Sequence, residues 1–181
     1  YAYKTSLAKM RDAYRTGNSA RDIMGANAET ASTLIDDLNN RVQQLPSSDQ
    51  RFEQFQAITA AKQAFLLARY EVRGYTATTN AETEQKAVAQ LDAAIASLQQ
   101  LNVHFSDIQP QALRQLETAL GNYRSALQAY KAANSEAVQA RKEMTDEGAA
   151  IVSLSEQLYQ IQLDRRDAES AQARTLQLIS T

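Results

Sequence analysis

Cysteine is absent from the 181 residues, proline occurs twice, glycine five times and histidine once. Without cysteine there is no disulfide framework, which suits an oxidising compartment where a stray thiol is a liability and is equally common in cytosolic proteins. With so little proline and glycine, few points can break a helix. The lone His104 lies beside a turn and is expected to face solvent. No His-His or Glu-x-x-His pair is present, so a ferritin-like metal centre is not supported. Neither a nucleophile elbow nor a phosphate loop occurs, and no cofactor, metal or enzymatic activity is expected. No stretch approaches 18 apolar residues, so nothing here reads as a membrane span, and no signal peptide is visible. If the protein is a receptor, its anchors are expected outside this sequence. A net charge of −2 and the lack of a long basic run argue against nucleic acid as a partner.

What is present is the vocabulary of long helices: alanine, glutamine, leucine, glutamate and arginine. Pro46-Ser47-Ser48-Asp49 offers a turn followed by N-cap residues, and Pro110 suits the first turn of a helix. Thr79, with Glu82 three residues on, reads as a capping box after the Thr78-Thr79-Asn80 break. Four helices are predicted, at about 1–45, 49–78, 81–104 and 110–178. Apolar residues recur at three- and four-residue spacing along each. The first carries Tyr3, Leu7, Met10, Tyr14, Gly17, Arg21, Met24, Ala28, Ala31, Ile35, Leu38 and Val42 on one seam. The second carries Phe52, Phe55, Ile58, Lys62, Phe65 or Leu66, and Arg69; the third Val88, Leu91, Ile95 and Leu98. The fourth runs from Leu113 through Tyr123, Tyr130, Asn134, Arg141, Met144 and Gly148 to Ile151, Leu158 and Ile161. Such a period predicts an all-α, antiparallel four-helix bundle whose long helices extend into a second stacked bundle.

The helix lengths support two bundles. At 1.5 Å per residue the middle helices are about 45 and 36 Å long, the first about 68 Å and the last about 100 Å. The last helix keeps an apolar seam beyond the reach of its shorter neighbours, so it expects further partners. An ungapped shift of 120 residues superposes Tyr3, Leu7, Ala13, Ala20, Arg21, Met24, Leu34 and Leu38 on Tyr123, Leu127, Ala133, Ala140, Arg141, Met144, Leu154 and Leu158. Heptad coincidence explains part of this; the shared Ala-Arg-x-x-Met and the matched tyrosines favour duplication.

Three segments then carry a family resemblance: Ala68-Arg69-Tyr70-Glu71-Val72-Arg73-Gly74-Tyr75, Tyr123-Arg124-x-x-Leu127 and Ala140-Arg141-x-x-Met144. In this order and spacing the chain resembles the helical bimodular sensor domain of bacterial methyl-accepting chemotaxis proteins, of the kind found in Pseudomonas receptors for tricarboxylic-acid-cycle intermediates. The resemblance implies two four-helix bundles along shared long helices, with small carboxylates such as malate, succinate or acetate bound inside. Against that pattern the first two helices are missing. The chain would hold a membrane-distal module at about 15–140 and two legs, 1–14 and 141–181, of a membrane-proximal one. The implied role is the periplasmic part of an inner-membrane receptor acting as a homodimer. A histidine kinase could carry the same input domain, and a structural or adaptor bundle without a small ligand is the alternative from another class.

Charges fall where a core is expected. Lys62 and Arg69 lie on the second seam, Arg73 one turn further and Arg21 on the first. Arg69 and Arg73 stand 20 and 24 residues beyond residue 49, and Arg21 a similar distance before the turn on an antiparallel neighbour. Counting onward through the third helix brings Tyr130 and Asn134 to the same depth. Guanidinium groups bind carboxylates bidentately, so Arg69 and Arg73, faced by Arg21, Tyr130 and Asn134, form the candidate ligand site. The opposing reading is that each arginine snorkels to solvent or pairs with Glu71, Asp22 or Glu29. Arg141, about three turns lower, is assigned to the lower module or a dimer contact.

Overall fold

The computed structural model describes residues 2–105 and 109–180, with the backbone alone for 175–180. Its helices are α1 (Ala2–Gln44), α2 (Asp49–Thr78), α3 (Ala81–Gln99), α4 (Leu101–Phe105) and α5 (Pro110–Ser180). No strand occurs among the described residues. The predicted third helix is therefore two segments parted at Gln100, and the last is one helix of 71 residues with no break at Gly148.

Local chemistry sets the boundaries. Pro46 disfavours helix for the residue before it, and α1 ends at Gln44. Ser48 caps α2 by accepting from Arg51 N at 3.0 Å, while the Arg51 guanidinium turns back to the Val42 carbonyl at 3.1 Å. Pro110 opens α5, where its missing N–H is harmless. The expected capping box at Thr79 is replaced by another arrangement. Asn80 is the N-cap of α3, accepting from Thr83 N at 2.8 Å. Thr79 instead ends α2 in the left-handed region, φ 53°, with its N–H on the Tyr75 carbonyl at 2.6 Å. Two caps fit because the chain reverses there within two residues.

Residues Ala13–Ser135 form one compact unit, an antiparallel four-helix bundle. Polar pairs mark its register. Arg69 meets Glu29 and Lys62 meets Asp36 across α1 and α2. Asn102 meets Glu117, Arg124 meets Asp92 and Lys131 meets Glu84 across α5 and the α3–α4 segment. Ring contacts set α5 on α2: Phe65 packs edge-on to Tyr123 at 5.9 Å and Tyr75 to Tyr130 at 5.5 Å.

The core differs from the predicted seams in a consistent way. In α2 the buried positions are Gln54, Ile58, Ala61, Phe65, Ala68, Val72 and Tyr75. Phe52 and Phe55 are exposed, and Lys62 and Arg69 flank the seam. In α3 Ala87 and Ala94 are buried, with the larger Val88 and Ile95 beside them at the edge. In α1 the seam runs through Ala13 and Ala20 rather than Tyr14 and Arg21. Alanines thus occupy central layers between large side chains, and the bigger apolar neighbours cover the rim. Gln54 is buried at the seam and donates to the His104 carbonyl at 2.9 Å. His104 itself is half-buried rather than exposed.

The residues up to Asp12 and those from Glu136 onward form the other unit. Its core is small: Ser6, Ala137 and Ala140 are buried. The Ser6 hydroxyl lies 3.3 Å from Glu143 and 3.0 Å from Glu147, and Glu147 Oε2 is buried with no partner among the described residues. Further along, Ile151, Val152, Leu154, Leu158, Tyr159 and Ile161 are each more than half exposed.

Thr79 gives a direct stability test. A β-branched residue in the left-handed region is strained by about 1–3 kcal/mol, and glycine is the usual occupant after a helix end. Glycine's extra backbone entropy offsets about 0.5–1 kcal/mol of the gain. Thr79→Gly is therefore expected to raise stability by about 1 kcal/mol in urea denaturation, with the slope unchanged.

Candidate functional site

Because Ala68 and Val72 take the buried positions of α2, Arg69 and Arg73 follow them one residue later, at the edge of the seam. Edge positions let long side chains bury their stems and keep their heads at a rim. There the two meet Arg21 of α1 around a cavity of about 210 Å³, completed by Met24, Val72, Thr76 and Tyr123. The three arginines singled out from sequence thus line one space. Tyr130 and Asn134 do not. They lie one layer nearer the α2–α3 turn. Tyr130 packs edge-on to Tyr75 and donates from its hydroxyl to the Thr76 carbonyl at 3.4 Å. Asn134 is hydrogen-bonded to the Tyr75 phenol. Gly17 of α1 faces the Tyr130 ring, whose carbons lie 3.9 Å from where a Cβ would stand, an ordinary contact.

The residue that faces the arginines is Tyr123, seven positions before Tyr130 on the same helix. Sequence reading treats it as core, and it is buried. The missing signal was the exact level of α5, set by the packing of Phe65 on Tyr123. Burial pushes the Tyr123 phenol up to about 12, and the positive charges of Arg69 and Arg73 oppose the rise. At neutral pH Tyr123 therefore keeps its proton and can donate a hydrogen bond.

The charge balance favours an anion. Arg69 donates to Ser32 Oγ at 3.0 Å and to Glu29 Oε1 at 3.0 Å. The Glu29 side chain is 73% exposed, so this pair is worth at most about 1 kcal/mol. No ion pair holds Arg21 or Arg73 among the described residues. Three guanidiniums thus converge against one mostly solvated carboxylate. No cluster of three or more potential metal ligands occurs among the described residues, and none of their helices is long and apolar enough to cross a membrane.

The buried phenols set an alkaline limit. Tyr75 is also pushed up to about 12, chiefly by burial and then by the nearby Glu84 charge. Below pH 10 the folded and unfolded chains both keep these phenols neutral. As pH rises past 10 the unfolded chain ionises first, while Tyr75 and Tyr123 hold their protons until about 12. Their share of the stability is lost across that window. The urea midpoint should fall between pH 10 and 12, and fall less in the double variant Tyr75→Phe, Tyr123→Phe.

Comparison with known proteins agrees with this architecture. The helical bimodular sensor domain family matches residues 1–173. Methyl-accepting chemotaxis protein McpS of Pseudomonas putida is 42% identical over 99% of this chain, which covers 28% of that protein. Methyl-accepting chemotaxis protein McpQ of the same organism is 30% identical over 99% of the chain, covering 27% of its length. The chain therefore spans little more than a quarter of these relatives. A match that runs through every helix of both units, to a sensor family and not a catalytic one, makes this chain a member of the helical bimodular sensor domain family.

Proposed function

We propose that the chain is the ligand-binding region of a bacterial chemoreceptor, and that it recognises a small carboxylate, acetate or a C4 organic acid, at the cavity of Arg21, Arg69, Arg73 and Tyr123. The observation that carries this reading is the convergence of three guanidiniums and one protonated phenol on a single cavity of about 210 Å³. That is below the range of about 300–1,000 Å³ usual for drug-sized ligands, in keeping with an acid of a few carbons. Arg69 and Arg73, one turn apart on α2, are suited to the carboxylate oxygens, with Tyr123 donating from α5. Tyr130 and Asn134 serve as a brace, holding Tyr75 and the Thr76 backbone beside the cavity. A ligand can signal only through different affinity for two arrangements of the protein. Helix α5 is the natural output, because it carries Tyr123 at the cavity and continues unbroken to Ser180.

In this reading residues at about 15–140 are the membrane-distal module. Residues 1–14 and 141–181 are legs of a membrane-proximal one, on the periplasmic side of the inner membrane. The exposed apolar stripe from Ile151 to Ile161 supports further packing there, by a second subunit or by receptor helices outside this chain. The chemotaxis assignment, rather than a kinase, rests on the relatives. The ligand-free structural alternative draws on the Arg69–Glu29 pair.

Calorimetry with acetate, succinate and malate separates the two. Arg69 is half-buried and Arg73 exposed, so losing the charged hydrogen bonds of either, in Arg69→Ala or Arg73→Ala, should weaken binding at least about tenfold, with helix content intact. Tyr123→Phe should weaken binding about tenfold, the worth of a hydrogen bond to a charged group. Full affinity in both arginine variants would refute the site. For assembly, sedimentation at high concentration should show a dimer that Leu158→Glu with Ile161→Glu dissociates. A strict monomer with and without ligand would count against it.

A further inference from the structure

A second cavity, of about 320 Å³, lies on another face of the four-helix unit, between the α3–α4 segment and α5. Leu98, Leu113, Leu116 and Leu120, all buried, and the half-buried Ile95 form its floor. Two polar clamps straddle it. At one end Asn102 donates to Glu117 Oε1 at 3.0 Å; at the other Arg124 pairs with Asp92 at 3.3 Å. Both clamps tie α5 to its neighbour and fix the two ends of the space between. An apolar cavity of this size with a few convergent polar groups is the usual form of a small-molecule site.

The rim states what kind of molecule fits. Glu117, Gly121 and Arg124 are spaced four and three residues apart, and so share one face of α5, with the glycine between the acid and the base. A Cβ added at Gly121 would meet nothing within 4 Å. The glycine therefore leaves open the space between a carboxylate and a guanidinium. Glu117 has one oxygen engaged by Asn102, leaving the other for an ammonium group. The Arg124–Asp92 pair is about half exposed on both sides and therefore weak, and guanidinium donors remain for a second carboxylate. Unlike the three-arginine cavity, this one is lined by an acid, Glu117, and by a base, Arg124, whose own partner Asp92 is half exposed, so an ammonium and a carboxylate on one ligand would each find a group of opposite charge.

We infer that this cavity binds an aliphatic α-amino acid. The ammonium is held by Glu117, the carboxylate by Arg124 and the branched side chain by the leucine floor. The site is separate from the carboxylate cavity and does not depend on it.

Calorimetric titration of the 181-residue chain with leucine, isoleucine and valine tests the inference. Leucine should bind, and Gly121→Leu should abolish binding by filling the gap. That variant improves helix propensity and meets no neighbour at Cβ, so it should fold. Glu117→Gln and Arg124→Gln should each weaken leucine binding about tenfold, by loss of a hydrogen bond to a charged group. Arg69→Ala should leave it unchanged. The inference is overturned by any of four results: no heat with any of the three amino acids, wild-type affinity in Gly121→Leu, equal affinity for 4-methylpentanoate, which lacks the ammonium, or loss of leucine binding in Arg69→Ala.

Discussion

Close packing of alternating small and large side chains governs the four-helix unit. Phe65 lies between Ala61 and Ala68 along α2, and Leu91 between Ala87 and Ala94 along α3. Interiors pack at crystal-like density, so a layer holding a phenylalanine needs alanines in the layers beside it. This alternation sets the axial register of each helix on the next. A slip of half a heptad would set large residues against large ones and leave voids elsewhere, each costing several kcal/mol.

The candidate carboxylate site follows from that register. With Ala68 and Val72 buried, Arg69 and Arg73 must emerge at the rim, and the Phe65–Tyr123 contact brings a phenol to the same level. The arginines need no buried partner there, because their heads reach water. Tyr123 needs none that is charged, because burial keeps it neutral. An excess of positive charge can thus stand beside the core without disrupting it, and a ligand carboxylate can enter without displacing a strong ion pair. The leucine-floored cavity lies elsewhere in the same bundle, with the exposed Gly121 at its rim.

The smaller unit is built on other terms. Among its described residues the buried ones are serine and alanine, Leu7, Met10 and Met144 are only half-buried, the apolar side chains from Ile151 to Ile161 are exposed, and Ser6 has one proton for two carboxylates. Such a surface has little internal drive to hold its helices, so partners beyond this unit are the natural source of its stability. In a sensor that division is useful. A well-packed bundle gives a ligand defined walls, while a weakly self-sufficient pair of helix segments can change partners or alignment at low energetic cost.

The sequence by itself determined the helices. Pro46, Ser48, Asn80 and Pro110 act through the backbone within a few residues, so the starts and stops were legible to within a residue or two, apart from the turn at Gln100 and the roles of Thr79 and Asn80. It also singled out Arg21, Arg69 and Arg73 by their spacing and charge. Which apolar residues are central was misread wherever an alanine sits beside a larger neighbour, as at Ala87 and Val88 or Ala94 and Ile95. Hydrophobicity ranks the larger side chain first, whereas close approach of two helices selects the smaller. The tertiary structure alone decided that Tyr123 rather than Tyr130 faces the arginines, and that a second cavity opens beside Gly121. Both depend on the axial level of one helix against another. That level is set by side-chain interdigitation summed over the whole bundle, and no local stretch of sequence contains it.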